Sequence, residues 1–299
     1  MVVNDSSNPA GSSAAGSGAA GNVADSVATL IARALRAGVA RLDAEVLLAA
    51  LLGTGRAQLS AFPERTIAPL VAAMFDAGVQ RRAAGEPLAY ITGVREFWSL
   101  PLVATPEVLV PRPETELLVE RCLAALGSGA SRRVADLGTG SGAIALALAR
   151  ERPGWQLVAT DASAAALEIA AINRQRLEIG NVELRIGSWC MPLHGERFDA
   201  IVSNPPYVAP GDPALAHLAF EPLTALVAQD GGYADLLQII TQAREHLLPG
   251  GALLLEHGAT QAARLRTALV AAGYDRVACH RDLAGHDRVT EAWWPERTD

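Results

Sequence analysis

Asp136-Leu137-Gly138-Thr139-Gly140-Ser141-Gly142 is the stretch that decides the fold of this chain. It follows a short strand pattern, Arg133 to Asp136, and precedes a helical one, Ala143 to Arg150. A glycine loop between a strand and a helix is the setting of a nucleotide-type binding site. Glycines let the backbone approach a ligand closely, and the helix N-terminus offers N–H groups to a carboxylate. The pattern is GxGxG rather than the dinucleotide GxGxxG, it begins with an acid, and the Gly-Lys-Ser/Thr of a phosphate loop is missing. Alone, such a loop specifies no particular cofactor.

Working outward, strands and helices alternate. Gln156 to Thr160 reads as the second strand and Ala164 to Leu177 as its helix. Val182 to Ile186, Ala200 to Ser203 and Ala252 to Glu256 read as further strands, with a helix over Leu236 to Leu247. Arg276 to Cys279 and Val289 to Trp293 close the pattern. Alternation of this kind predicts an α/β fold: a mainly parallel, Rossmann-like sheet with helices on both faces.

Asp161 ends the second strand, 19 residues beyond Gly142. An acid there can accept hydrogen bonds from both hydroxyls of a ribose. It could instead cap the next helix, although Ser163 can fill that role and leave Asp161 free. Trp189, just after the third strand, is placed either to stack on an adenine or to fill the core.

Asn204-Pro205-Pro206-Tyr207 directly follows the strand Ala200 to Ser203. Two prolines stiffen the backbone and remove two N–H donors, leaving carbonyls to face a ligand. The Asn204 side-chain oxygen and the Pro205 carbonyl can accept both protons of a planar NH2 group, while the Tyr207 ring packs on its face. Holding the nitrogen toward a cofactor's methyl group is a near-attack arrangement. A rigid loop without chemistry is the plain alternative. The order of the glycine loop, Asp161 and this tetrapeptide favours catalysis, with Asn204, Pro205 and Tyr207 as the catalytic candidates.

Upstream of the sheet the chain changes character. Residues 1–26 are mostly Gly, Ala, Ser and Asn, a composition expected to be disordered. Residues 27–86 read as a helical bundle. Leu30, Ile31, Ala34 and Leu35 share a face, Leu42 to Leu52 follows, and Leu70, Val71, Met74, Phe75 and Val79 mark a helix over Ala68 to Arg82. Helical periodicity disappears between Pro87 and Pro113. Residues 87–112 read as a hairpin linker with a β-type piece from Phe97 to Val103. Pro113-Glu114-Thr115-Glu116 then opens a helix, its acids matched to the helix dipole.

The chain of 299 residues is 50% hydrophobic and 19% charged, with a formal charge of −7. That is globular composition without the basic footprint of a nucleic-acid binder. Three scattered cysteines point to free thiols, and the six histidines form no zinc-type spacing, so no metal is expected. Neither a membrane-span pattern nor a secretory signal is visible, which predicts a soluble, cytoplasmic protein, and nothing demands more than a monomer.

The tetrapeptide after strand four with GxGxG after strand one resembles the amino methyltransferases of the class I Rossmann-like fold. Gly93 to Trp98, Pro111 to Glu116, Phe220 to Leu226 and Leu255 to Gly258 narrow the resemblance to the peptide chain release factor glutamine methyltransferases, over residues 28 to 295. The resemblance implies transfer of a methyl group from S-adenosyl-L-methionine, with S-adenosyl-L-homocysteine as product. It implies as acceptor the side-chain N5 of the glutamine in the Gly-Gly-Gln motif of bacterial class I release factors, and so a role in translation termination. It further implies that residues 113–299 form the methyltransferase domain and that the helical domain docks the substrate. Gly138, Thr139, Gly140, Ser141 and Gly142 would hold the methionine part, Asp161 the ribose and Trp189 the adenine. Asn204, Pro205, Pro206 and Tyr207 would clamp the glutamine amide, and Arg112 and Glu116 would line the pocket. Ser188 stands where the family commonly has an acid. An adenine-N6 nucleic-acid methyltransferase, a non-catalytic cofactor-binding protein and a nicotinamide enzyme are the competing readings.

Overall fold

The computed structural model describes residues 25–129 and 131–296; the expected disordered extension lies almost wholly outside them. The chain divides into two compact units, one up to Ala77 and one from Gly78.

The first unit is helical. Helices α1 (Val27–Arg36) and α2 (Arg41–Leu52) fall where the apolar spacing puts them, and α2 stops at left-handed Gly53. A capping box starts α1: the Thr29 N–H donates to Ser26 Oγ at 3.2 Å, and the Ser26 N–H to Thr29 Oγ1 at 2.7 Å. A short helix, α3 (Arg56–Ala61), gives no sequence period because it completes barely two turns. Helix α4 (Pro69–Ala83) contains the division between the units. The apolar stripes overstate the core here. Leu30, Ile31 and Ala34 are buried, but Leu35, Leu70 and Met74 are exposed.

After the end of α4, the second unit continues with a helix where none is expected, α5 (Leu88–Thr92), set between Pro87 and left-handed Gly93. Five residues are too few to show periodicity among flanking breakers. The hairpin is present, but its arms are β1 (Val94–Phe97) and β2 (Leu100–Val103), so Phe97 and Val103 lie on opposite strands. The turn residues Trp98 and Ser99 both have positive φ, a hairpin geometry normally signalled by Asn-Gly. Glu116 holds that turn by accepting the Trp98 N–H at 2.8 Å. This corrects the expectation that Glu116 lines a pocket.

Next come α6 (Glu116–Leu126), β3 (Arg133–Leu137), α7 (Ala143–Glu151), β4 (Gln156–Asp161), α8 (Ala164–Arg176), β5 (Val182–Ile186) and β6 (Phe198–Ser203). A short turn α9 (Gln229–Gly232), then α10 (Ala234–Ala243), β7 (Leu247–Glu256), α11 (Ala262–Ala271), β8 (Asp275–Arg281) and β9 (Asp287–Trp293) complete the chain. Leu247, expected at a helix end, instead starts β7 and pairs with Phe198. An apolar run before Pro249 fits either element, and only pairing decides.

The seven strands order as β5-β4-β3-β6-β7-β9-β8. All neighbours are parallel except β7–β9 and β9–β8. Strand alternation splits the core into two layers. Val134, Ala200, Val202 and Leu254 face Leu118, Ile144 and Leu148 on one side. Ala135, Ile201, Leu253 and Leu255 face Leu236, Ile240 and Leu265 on the other. The order reverses between β3 and β6, so their carboxyl ends open a crevice where open α/β sheets bind ligands.

Candidate active site

A cavity of about 460 Å³ occupies that crevice. Its walls include Gly138, Thr139, Gly140 and Ser141 after β3, Asp161 at the end of β4, Ser188 and Trp189 after β5, and Asn204 and Pro206 after β6. Residues far apart in sequence meet because consecutive parallel strands all end on the same edge of the sheet. Arg112, Thr115, Pro222, Thr224 and Ala225 close another wall.

The glycine loop is stitched to β4 rather than left open. The Gly138 and Thr139 N–H groups both donate to Thr160 O at 2.9 Å, and the Gly140 N–H donates to Asp161 Oδ2 at 2.9 Å. These three amides are thus occupied within the protein, while Ala143 and Ile144, in the first turn of the helix expected to offer N–H groups, face the cavity. Gly142 is not a wall residue. A Cβ there would meet Leu146 Cδ1 at 3.0 Å and Ala170 Cβ at 3.3 Å, whereas one on Gly140 would meet nothing within 4 Å.

Ser163 does cap α8, accepting the Ala166 N–H at 3.2 Å. Asp161 is nevertheless engaged: its Oδ1 accepts the Ser163 N–H at 2.9 Å while Oδ2 holds Gly140. Each carboxylate oxygen keeps a further acceptor site, and Asp161 lines the cavity. Trp189 is half-buried, packed against the apolar layer and close to Gly138 as well as lining the cavity. It serves as wall and core at once.

Asp136, the acid that opens the motif, is fully buried below the loop. Its Oδ2 accepts the Thr139 hydroxyl at 2.6 Å and the Ala145 N–H at 3.2 Å. Burial pushes its carboxyl up to about 7 despite those donors.

At the tetrapeptide, Asn204 Nδ2 donates to Thr115 Oγ1 at 3.1 Å, leaving Oδ1 as its acceptor end. Pro205 is buried, and neither it nor Tyr207 is a cavity wall. The Tyr207 hydroxyl donates to Glu256 Oε1 at 3.3 Å. Gln261 Nε2 donates to the Tyr207 carbonyl at 3.2 Å and to the Gly232 carbonyl at 3.1 Å, bracing the loop from behind. Glu256 is 1% exposed, and burial pushes it up to about 7 against the pull of the Thr115 hydroxyl, Arg288 and the Tyr207 hydroxyl. Thr115 and Glu256 lie inside segments that carry the family resemblance, but the sequence assigns no role to them or to Gln261, since each acts through contacts distant along the chain. His257, beside Glu256, is buried with Nε2 at 2.8 Å from Thr290 Oγ1, a structural placement.

The electrostatics of the cavity favour a cationic guest. Glu107, Asp161 and Asp235 line it, and burial holds the Asp235 carboxyl above its ordinary range. The basic wall residue Arg112 is paired with Glu221 and so does not offset them. Among the described residues no cluster of His, Cys, Asp and Glu is arranged to hold a metal.

A sheet of this order, a glycine loop after its first parallel strand and an Asn-Pro-Pro-Tyr tetrapeptide after β6 define a Rossmann-like methyltransferase. Residues 113–269 match the Methyltransferase small domain family, and residues 28–93 match the PrmC N-terminal domain. A methyltransferase from Pyrococcus furiosus shares the fold, with a TM-score of 0.51 at 20% identity over 66% of this chain and 90% of that one. The release factor glutamine methyltransferase of Escherichia coli is 48% identical over 84% of this chain and 91% of its own length. That of Pseudomonas aeruginosa is 49% identical over 85% and 93%. The chain belongs to the release factor glutamine methyltransferase family.

Proposed function

We propose that this enzyme transfers a methyl group from S-adenosyl-L-methionine to the side-chain N5 of the glutamine in the Gly-Gly-Gln motif of class I release factors, modulating translation termination. The observation that carries this reading is the Asn204 amide. Its NH2 end is taken by Thr115, so its oxygen is the end available to a substrate N–H.

The cavity suits the cofactor. Its volume of about 460 Å³ lies within the ~300–1,000 Å³ of small-molecule sites. Its acid-rich wall complements a sulfonium and an ammonium, Asp161 retains acceptor capacity for ribose hydroxyls, and Trp189 offers an apolar face for adenine. When bound, the cofactor supplies a strongly electrophilic methyl group. An amide nitrogen is a poor nucleophile because its lone pair is delocalised into the carbonyl, so the protein's task is to orient and polarise the NH2. Asn204 Oδ1 and the Pro205 carbonyl accept its two protons, and Tyr207 limits its tilt. Asp161 and the loop residues Gly138 to Ser141 hold the donor; Gly142 acts indirectly, by letting α7 pack.

The helical unit supplies the docking surface for the release factor in this reading, its exposed Leu70 and Met74 standing one turn apart on α4. The enzyme works as a cytoplasmic monomer and needs no nucleic acid. Among the described residues no helix is long and apolar enough to cross a membrane.

Mass spectrometry of a purified release factor incubated with the enzyme and S-adenosyl-L-methionine tests this. A one-methylene mass increase on the Gly-Gly-Gln glutamine is expected; an increase on another residue, or none, would reassign the substrate.

A further inference from the structure

We propose that Asn173 is a positioning residue for the cofactor: from inside α8 it ties the end of the glycine loop to the hairpin arm that leads into another wall of the cavity. The inference rests on the reading of that cavity as the S-adenosyl-L-methionine site, and it names what keeps two of the walls in register.

An asparagine inside a helix is mildly unfavourable, and burying its amide costs more unless every polar end is paired. Asn173 lies within α8 and is fully buried. Its side-chain hydrogen bonds all leave the helix. Oδ1 accepts the Val103 N–H at 2.6 Å, while Nδ2 donates to the Val103 carbonyl at 3.3 Å and to the Ser141 carbonyl at 2.9 Å. The orientation of the amide is fixed by these partners, since turning it over would set Oδ1 against two carbonyl oxygens.

Both partners adjoin the cavity. Ser141 is a wall residue near the end of the glycine loop. The start of that loop is pinned to β4 through Gly138, Thr139 and Gly140, and Asn173 pins its end. Val103 ends β2, and the chain that follows supplies Glu107, Val108, Leu109, Pro111 and Arg112 to the cavity. Glu221 holds the far part of that segment, accepting the Val110 N–H at 3.1 Å and pairing with Arg112. Asn173 anchors the near part. Without it, three main-chain groups lose their partner, and the ligand must restore the spacing of the two walls as it binds. The cost therefore falls on cofactor affinity. The tetrapeptide is braced separately by Thr115, Glu256 and Gln261, so turnover at saturating cofactor should survive.

Comparing Asn173→Ala with Asn181→Ala separates positioning from plain stabilisation. Asn181 is a clamp of the same kind, its Nδ2 donating to the Ala149 and Arg152 carbonyls at 3.3 Å and to the Trp155 carbonyl at 3.0 Å, but none of these four residues lines the cavity. Each variant is measured for S-adenosyl-L-homocysteine affinity, for the KM of S-adenosyl-L-methionine, for kcat on a release factor and for melting temperature. Asn173→Ala should weaken S-adenosyl-L-homocysteine binding and raise KM on the order of tenfold, with kcat at saturating cofactor within about threefold of wild type. Asn181→Ala should lower the melting temperature and leave affinity and KM at wild-type values. Should Asn173→Ala fail to fold, Asn173→Asp decides. It keeps the shape and the acceptor for the Val103 N–H, but a carboxyl cannot donate to both carbonyls, so a loss of affinity in the same direction is expected. Wild-type affinity in a folded Asn173 variant overturns the proposal, as does a loss matched by Asn181→Ala or a fall in kcat with KM unchanged. A wild-type protein that binds no S-adenosyl-L-homocysteine overturns the cofactor reading and this inference with it; a wild type that binds it, beside unimpaired Asn173 variants, overturns the inference alone.

Discussion

Arg112 and Glu221, 109 residues apart, form an ion pair in which the carboxylate is buried and also accepts the Val110 N–H at 3.1 Å. It joins the Pro111 to Glu116 segment to the Phe220 to Leu226 segment, both of which supply cavity walls. The pair is asymmetric, since the Arg112 side chain is 35% exposed and the Glu221 side chain 2%. Removing the arginine strands a buried charge, whereas removing the acid leaves a guanidinium that water can reach.

Arg112→Ala should therefore cost more stability than Glu221→Gln, about 2–3 kcal/mol against about 1 kcal/mol. Urea unfolding of both variants checks the order. Equal losses would mean that the exposed end of the pair governs its worth.

Two glycines of one motif should fail in different ways. Gly142→Ala places a Cβ at 3.0 Å from Leu146 and at φ +86°, so it should lower the melting temperature. The methyl of Gly140→Ala meets no protein atom within 4 Å, so beyond the strain of φ +56° it should chiefly weaken ligand binding at the cavity wall. The left-handed backbone alone costs about 1–2 kcal/mol in either variant. Calorimetric titration of S-adenosyl-L-homocysteine alongside thermal melts separates the two. Unchanged ligand affinity in Gly140→Ala would remove that residue from the site.

Asn204→Ala should reduce methyl transfer by a factor on the order of a hundred or more, because orientation supplies most of the rate for a weak nucleophile. S-adenosyl-L-homocysteine affinity should persist, since the loop and Asp161 are untouched. Activity within a few-fold of wild type in a single-turnover assay would count against the clamp.

Glu256→Gln should stabilise the protein at high pH. Burial pushes Glu256 up to about 7. Between the ordinary carboxylate value and 7 the folded chain keeps a proton that the unfolded chain has released, so stability falls as pH rises through that window. Above 7 the ionisation cost is fully present, at most about 3 kcal/mol, and the neutral isostere removes it. The variant should melt above wild type near pH ~8, and the gap should shrink toward pH ~5. A gap that widens with acid would show that Glu256 is not held above its ordinary range. Asp136, also pushed up to about 7, adds a pH dependence of the same sign to both proteins.

The strands flanking Gly138 to Gly142 and the site order along the chain were legible in the sequence because they are local. Alternating apolar residues declare a strand, and a glycine loop or a double proline declares where the backbone must turn or stiffen. The turn at Trp98-Ser99, the helix Leu88–Thr92 and the start of β7 at Leu247 were not legible, because their local signals are short or ambiguous and distant partners decide them. The same division runs through the site. Residue type and order alone determined that Asn204 could clamp a planar NH2 and that Asp161 could meet a ribose. Only the tertiary structure decided that Asp161 also pins Gly140, that Glu116 serves the hairpin, and that Thr115 and Glu256 stand behind Asn204 and Tyr207. The physical reason is separation. Thr115 and Asn204 are 89 residues apart, and their hydrogen bond exists only because the sheet brings α6 and the end of β6 together.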